Sequence, residues 1–179
     1  PGQGLQEYVA GGALRRGAGP IGFCPHLQGG VNMWPTAFNP KTRLHYGAGF
    51  EGCSEAEAKV TVAEEIDLVN GDVFLGGSLA SVGRVEGSIT AWDLKSGEMH
   101  SKYFHPAANY AGVVAMDGGL VCTGWVDGFF TCHDDKSLEK LYEFYTGTNI
   151  KAPPISYAID GKQYIALMAG GTSNAGWLN

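Results

Sequence analysis

Apolar residues along this chain come in short runs, each closed by a turn former. Leu120-Val121-Cys122-Thr123 and Phe129-Phe130-Thr131-Cys132 flank Trp125-Val126-Asp127-Gly128, and Ile155 to Ile159 faces Gln163 to Leu167 across Asp160-Gly161-Lys162. Each pair predicts an antiparallel hairpin, because glycine beside Asp supplies the tight reversal that adjacent strands need. Ile89-Thr90-Ala91-Trp92 predicts a further strand ending in a turn. Turn signals recur at Asn39-Pro40, Asn70-Gly71, Gly76-Gly77, Ser96-Gly97 and Asp117-Gly118-Gly119. One stretch, Ser54 to Asp67, leans towards a helix and carries Glu55, Glu57, Glu64, Glu65 and Asp67; its Val60-Thr61-Val62 centre fits a strand equally well. Its acidic face reads as solvated surface rather than a metal or substrate site.

A degenerate repeat organises these strands. Ala91-Trp92-Asp93-Leu94-Lys95-Ser96-Gly97 has the form A-x-D-x-x-S-G, and Cys132-His133-Asp134-Asp135-Lys136-Ser137-Leu138 keeps its Asp and Ser. Ala37-Phe38-Asn39-Pro40-Lys41-Thr42-Arg43 is a third, weaker copy. The Asp or Asn side chain of such a turn accepts backbone N–H bonds, the hydroxyl closes it, and glycine takes the positive φ. Asn39, Asp93 and Asp134 lie 54 and 41 residues apart, near the roughly 40 to 50 residues of a four-stranded propeller blade. A large aromatic four positions after the turn would pack on the next blade; Tyr142 fills that place after the Cys132 copy and Ser101 after the Ala91 copy.

Composition supports an all-β fold. Of 179 residues 28 are glycine, while 44% are apolar and 17% charged, a balance that disfavours long helices and disorder alike. The net charge of -6, with no basic cluster longer than Arg15-Arg16, gives no footprint for nucleic acid. No run approaches the roughly 18 apolar residues of a membrane span, and Pro1-Gly2-Gln3-Gly4 has neither the basic start nor the apolar block of a signal peptide. Cys24, Cys53, Cys122 and Cys132 are spaced by 29, 69 and 10 positions, which matches no common zinc motif. Two disulfides, one, or none are all compatible with that spacing. His26, His45, His100, His105 and His133 form no short ligand motif and read as surface or hydrogen-bonded histidines. Gly76-Gly77-Ser78 and Gly170-Gly171-Thr172 lack the lysine of a phosphate loop, and no G-x-S-x-G elbow is present.

Three segments say more. The first runs Phe23-Cys24-Pro25-His26-Leu27-Gln28-Gly29-Gly30-Val31-Asn32-Met33-Trp34-Pro35, then through Asn39-Pro40-Lys41-Thr42 to Leu44 and Tyr46. The second is Gly87-Ser88-Ile89-Thr90-Ala91-Trp92-Asp93 with Lys95-Ser96-Gly97. The third runs from Ala111-Gly112-Val113 through Gly118-Gly119-Leu120-Val121-Cys122-Thr123-Gly124, Tyr145-Thr146-Gly147 and Ala152-Pro153-Pro154 to Gly161-Lys162-Gln163-Tyr164 and Ala169-Gly170-Gly171. In this order they resemble the C-terminal part of the pyrroloquinoline-quinone (PQQ)-dependent alcohol dehydrogenases, eight-bladed quinoprotein propellers with tryptophan-docking repeats. The family pattern differs in having glycine where Arg43 and Leu138 stand, and tryptophan where Ser101, Tyr142 and Tyr110 stand.

The resemblance implies an all-β, partial β-propeller of about three to four four-stranded blades. Residues 1–179 would be the C-terminal portion of one propeller domain, with 1–20 as an irregular extension. An open ring exposes apolar sheet faces, so a larger polypeptide carrying the remaining blades is expected. The implied activity is oxidation of an alcohol by hydride transfer to PQQ, with electrons passed to a cytochrome c-type acceptor, in the periplasm. The Ca2+ or lanthanide ligands and the catalytic base would lie on the partner, so no catalytic or metal residue is assigned to this chain. The resemblance gives this chain Asn32 as a hydrogen-bond donor to the cofactor, Trp34 as a wall and Tyr110 at the pocket mouth. Without it, Asn32 reads as a turn residue and Tyr110 as packing. Which of Met33 and Trp34 faces the cofactor is open, and Trp177 is a further aromatic for the ring or a packing anchor. Trp92 and Trp125 read as blade packing. The competing reading is a non-catalytic propeller scaffold that keeps the repeats and has lost the cofactor.

Overall fold

The computed structural model describes residues 12–59 and 76–170. Trp177, Asn70-Gly71, Val60-Thr61-Val62 and the first eleven residues lie outside them, as do Glu64, Glu65 and Asp67. All regular structure among the described residues is β. The strands are β1 (Ile21–Phe23), β2 (Ala37–Asn39), β3 (Leu44–Ala58), β4 (Gly77–Asp93), β5 (Met99–His105), β6 (Val113–Met116), β7 (Leu120–Gly124), β8 (Phe129–Asp134), β9 (Lys140–Tyr145), β10 (Ile155–Ile159) and β11 (Lys162–Ala166). Every pairing between them is antiparallel.

Chain order equals sheet order. Strands β2 to β5 form one meander, β6 to β9 a second of four strands, and β10–β11 a hairpin. The innermost strands follow one another around a common axis: β2 lies against β6 and β6 against β10. Two blades and the opening hairpin of a third are therefore on view. Both hairpins expected from the sequence form, with Cys122 paired to Cys132 and Tyr157 to Tyr164.

The first blade carries an extra storey. Beyond a bulge between Glu51 and Cys53, β3 and β4 continue as a two-stranded arm, and β1 adds to it by pairing Ile21 with Ala56. Ser54 to Ala58 is thus strand, which resolves the helix-or-strand ambiguity for the part of that stretch that is described. Residues 12–20 contain no strand.

The repeat turns share one geometry at two different joints. Asp93 Oδ1 accepts from the N–H groups of Lys95 and Ser96 at 2.7 and 3.1 Å. Asp134 Oδ1 does so from Lys136 and Ser137 at 3.0 and 2.8 Å. Those two turns join the third and fourth strands of their blades. The Asn39 turn is built alike, with Lys41 N–H on Oδ1 at 2.9 Å, but it joins β2 to β3. Only the 41-residue spacing is consequently a blade period, and the 54-residue one compares unlike joints. At the fifth position of the three turns Gly97 has φ 74°, and Arg43 and Leu138 take the same left-handed conformation at 62° and 58°. A side chain there costs about 1–2 kcal/mol; Leu138, 1% exposed, offsets this by burial, whereas exposed Arg43 has no such return.

The principal core fills the space between the two blades. Leu44, Tyr46, Ala48, Ile89 and Ala91 of the first meet Val113, Val121, Trp125 and Leu138 of the second. Trp125 donates from Nε1 to Thr131 Oγ1 at 2.8 Å, so its burial leaves no polar atom unpaired. His133 Nδ1 donates to the Leu138 carbonyl at 3.0 Å, which leaves Nε2 to accept from the Thr131 hydroxyl at 2.8 Å. Burial holds its pKa at about 4, Lys140 and His105 acting in the same sense and the Leu138 hydrogen bond opposing. Trp92, by contrast, is 40% exposed on the outer face of the first blade and does not pack within these blades. The cysteines form two disulfides, Cys24–Cys53 and Cys122–Cys132.

Candidate functional site

Three loops lead into the innermost strands, and all three open at the same end of the ring. This end lies opposite the Asn39, Asp93 and Asp134 turns, because successive strands of a meander alternate in direction. The first loop, residues 24–36, is anchored along its length. Cys24 is bonded to Cys53 on the arm, Leu27 N–H donates to Ser54 Oγ at 2.9 Å, and Phe50 N–H donates to the Gly30 carbonyl at 2.8 Å. His26, 2% exposed, accepts the Gln28 N–H on Nδ1 and donates from Nε2 to Ser81 Oγ at 2.9 Å. Burial lowers its pKa, which favours that neutral form.

Asn32 sits at the exposed crown of this loop. Its Nδ2 donates to the Gln28 carbonyl at 2.5 Å and its Oδ1 accepts the Met33 N–H at 2.8 Å. Both ends of the amide thus shape the turn. Met33 is 86% exposed, while Trp34 turns inward and is half-buried.

Trp34 and Tyr110 meet. Their ring centroids are 5.1 Å apart in an edge-to-face arrangement, and Phe50 of β3 completes the cluster at 4.8 Å from each. Val85, Ala108 and Val126 close it from below. Burial raises the Tyr110 pKa, so its hydroxyl stays protonated. The second loop, which carries Tyr110, is fixed by Asn109, whose side chain is fully buried. Its Oδ1 accepts the N–H groups of Ala111 and Gly112 at 3.0 and 3.1 Å, and its Nδ2 donates to Thr123 Oγ1 at 2.8 Å. Gly112 has φ 74°, and a Cβ there would lie 2.5 Å from the Pro35 carbonyl. That close approach lets Val113 N–H reach the same carbonyl at 3.0 Å and joins the first loop to the second.

The third loop brings Lys151, whose Nζ stands 5.7 Å from the centre of the Tyr110 ring. Sequence reasoning missed Lys151, Phe50 and Asn109. The spacing of Trp34, Tyr110 and Lys151 ahead of three consecutive innermost strands is the signal that could have found Lys151. A lone asparagine buried in a loop leaves no such signal. Nearby, His105 Nε2 pairs with Asp127 Oδ2 at 2.8 Å and the ring stacks on Trp125 at 4.2 Å, which fixes the β7–β8 turn.

The arrangement suits a planar, aromatic, anionic ligand. Trp34 and Tyr110 offer apolar ring surface, Asn32 an amide and Lys151 a cation. Among the described residues no group of three or more His, Cys, Asp or Glu is placed to hold a metal ion.

No family model matches the chain. It is 32% identical over 154 residues to the quinoprotein alcohol dehydrogenase PedE of Pseudomonas putida, covering 84% of this chain and 24% of that protein. The chain is homologous to the quinoprotein alcohol dehydrogenases. It is also 30% identical over 150 residues to the lanthanide-dependent methanol dehydrogenase of Methylorubrum extorquens, covering 83% of this chain and 25% of that one. Among solved structures, the quinohemoprotein alcohol dehydrogenase of Comamonas testosteroni superposes with a TM-score of 0.75 at 24% identity, over 87% of this chain and 24% of that one. A europium-containing methanol dehydrogenase gives 0.73 at 24% identity, over 89% and 28%. These superpositions establish the β-propeller architecture. The chain spans about a quarter of the length of the quinoprotein relatives it matches, in their C-terminal part.

Proposed function

We propose that this chain forms C-terminal blades of a PQQ-dependent alcohol dehydrogenase and supplies one wall of its cofactor site. The observation that carries this reading is the Trp34–Phe50–Tyr110 cluster, built where three lead-in loops converge. Held here together with a Ca2+ or lanthanide ion, PQQ would supply the hydride acceptor for alcohol oxidation, with a cytochrome c-type protein as the electron acceptor. The metal ligands and the catalytic base belong to the remaining blades, and the setting is the periplasm.

Each residue here has a role that needs no chemistry of its own. Trp34 presents a ring that keeps water from one face of the cofactor. Tyr110 braces Trp34 edge-on and, staying protonated, brings no negative charge to the site. Asn32 lies on the exposed rim, where the second N–H of its amide, not used by the Gln28 carbonyl, can donate outward. A second reading, a non-catalytic propeller scaffold, draws on one observation: the Asn32 amide makes one bond from its nitrogen and one to its oxygen within its own turn.

Equilibrium binding of PQQ to the intact protein decides between them. Trp34→Ala is expected to weaken binding about tenfold or more, since losing a well-packed aromatic contact is worth at least about 1.4 kcal/mol. Asn32→Ala should lower PQQ retention while leaving association of the blades unchanged. Absence of PQQ binding by the wild-type protein would favour the scaffold.

A further inference from the structure

Three histidines among the described residues are buried, and they differ in what they face. His105 pairs with the Asp127 carboxylate at 2.8 Å, an acceptor that suits a neutral or a charged ring. His133 faces a carbonyl and the Thr131 hydroxyl, and a hydroxyl can turn from donor to acceptor. His26 faces a group that cannot change role, the Gln28 backbone N–H at 3.2 Å from Nδ1. A backbone N–H only donates, so Nδ1 must stay unprotonated, and Nε2 carries the hydrogen given to Ser81 Oγ at 2.9 Å.

A proton added to Nδ1 sets two donors against each other at a residue 2% exposed to solvent. The groups packed on the ring offer little compensation. Phe50, stacked on it at 6.0 Å, and Ser54 and Ser81 of the arm are neutral, and Cys24 and Cys53 are joined in a disulfide. Glu51 alternates with Phe50 onto the opposite face of β3, where it binds Ser88 and Lys102 and registers with Glu86. Glu55 and Glu57 alternate with Ser54 onto the other face of the arm, and Arg84 of β4 is exposed. Burial is accordingly what lowers the His26 pKa.

The loop's other contacts depend on the same docking. Leu27 N–H reaches Ser54, Phe50 N–H reaches the Gly30 carbonyl, and the Phe50 ring meets both Trp34 and Tyr110. Both ends of the loop are tied down, by Cys24–Cys53 and by Val113 N–H on the Pro35 carbonyl. Undocking is therefore confined to residues 25–34 and is reversible.

We propose that His26 is a pH-operated latch: the neutral ring holds residues 25–34 on the arm, and a second proton releases them and draws Trp34 away from Tyr110. This goes beyond the reading that PQQ binds here and does not rest on it. In the released loop the ring returns to an ordinary pKa near 6.5, above that of the latched ring. The open loop thus binds more protons, so the latch is fully effective above about pH 6.5 and weakens as pH falls.

Hydrogen–deuterium exchange of the intact protein that carries this chain, without added PQQ and corrected for the intrinsic rate at each pH, is the test. Opening at the Gln28 and Phe50 amides should become more frequent by up to about tenfold per pH unit below about 6.5, and level off once the latched ring is itself protonated. His26→Gln keeps an amide that can make both bonds and should abolish this pH dependence. His133→Gln should leave it intact, which separates the latch from acid effects on the blade core. Should His26→Gln fold poorly, the wild-type ring decides: its NMR titration should have a midpoint below about 6.5 that coincides with the levelling of exchange. Corrected protection in residues 25–34 that stays constant with pH, or a pH dependence that survives in His26→Gln, would overturn the proposal.

Discussion

The seam between the two complete blades and the seam between the second blade and the β10–β11 hairpin are built from similar residues, yet only the first is closed. In the first, nine buried apolar residues interlock around Trp125. In the second, Tyr142 and Phe144 of β9 face Gln163 and Ile165 of β11 across a cleft of about 480 Å3. Tyr142 is 54% exposed and Phe144 55%. The difference lies in strand count. A four-stranded sheet covers its neighbour along the whole blade, whereas a two-stranded hairpin covers only the part near the axis and is marginal alone. The far face of that hairpin shows Ile155, Tyr157 and Ile159, and the outer face of the first blade shows Phe38, Trp92 and Phe104. Together with the quarter-length match to the quinoprotein relatives, these surfaces are accounted for by further blades on both sides.

The largest effect that would break this comparison is at Trp125. Trp125→Ala should lower stability by about 3–5 kcal/mol, read by denaturant unfolding, because it empties the closed seam and removes the donor to Thr131. An effect under about 1 kcal/mol would mean the seam is not the core. Tyr142→Ser and Ile165→Ser sharpen the contrast. In the isolated segment each should cost less than about 0.5 kcal/mol, and in the intact protein about 1–3 kcal/mol, as buried side chains do. Equal costs in the two settings would leave the cleft uncovered.

Acid should act on the closed seam. His133 titrates at about 4 in the folded chain and near 6.5 when unfolded, so the unfolded state takes up its proton first as pH falls. Its contribution is complete above about pH 6.5 and is lost progressively down to about pH 4, at about 1.4 kcal/mol per unit of depression. His26 adds in the same direction. His133→Gln should flatten the stability profile across that window, measured as urea midpoint against pH. The smallest effect is at Arg43. Arg43→Gly should raise stability by about 0.5–1 kcal/mol by removing a side chain from the left-handed conformation, with the glycine's added chain entropy limiting the gain.

What the sequence made legible follows from local chemistry. Asp-Gly turns between apolar runs marked both hairpins, and the Asp-x-x-Ser turns appeared with the expected side-chain bonds. The Asn39 turn misled because the same hydrogen bonds close any tight turn, whichever joint it occupies. Trp34 and Tyr110 were both named as site residues and are in contact. Asn32, named with them, makes one bond from its nitrogen and one to its oxygen within its own turn, a choice of partners that a motif does not reveal. Phe50 reaches Trp34 across its own blade and Tyr110 across the seam, contacts that its neighbours in sequence do not announce. Ser101, at a docking position, reaches the next blade through a hydrogen bond to the Lys136 carbonyl at 2.6 Å, a polar substitute that an apolar pattern does not predict.

If this chain walls a PQQ site, ligand contact falls at the lead-in loop end and none at the opposite turns. Hydrogen–deuterium exchange on the intact protein, with and without PQQ, tests that division directly. Added PQQ should slow exchange in residues 28–36, 106–112 and 148–153 and leave the turns around Asn39, Asp93 and Asp134 unchanged. Unchanged exchange in all three loops, or protection at the turns instead, would contradict it.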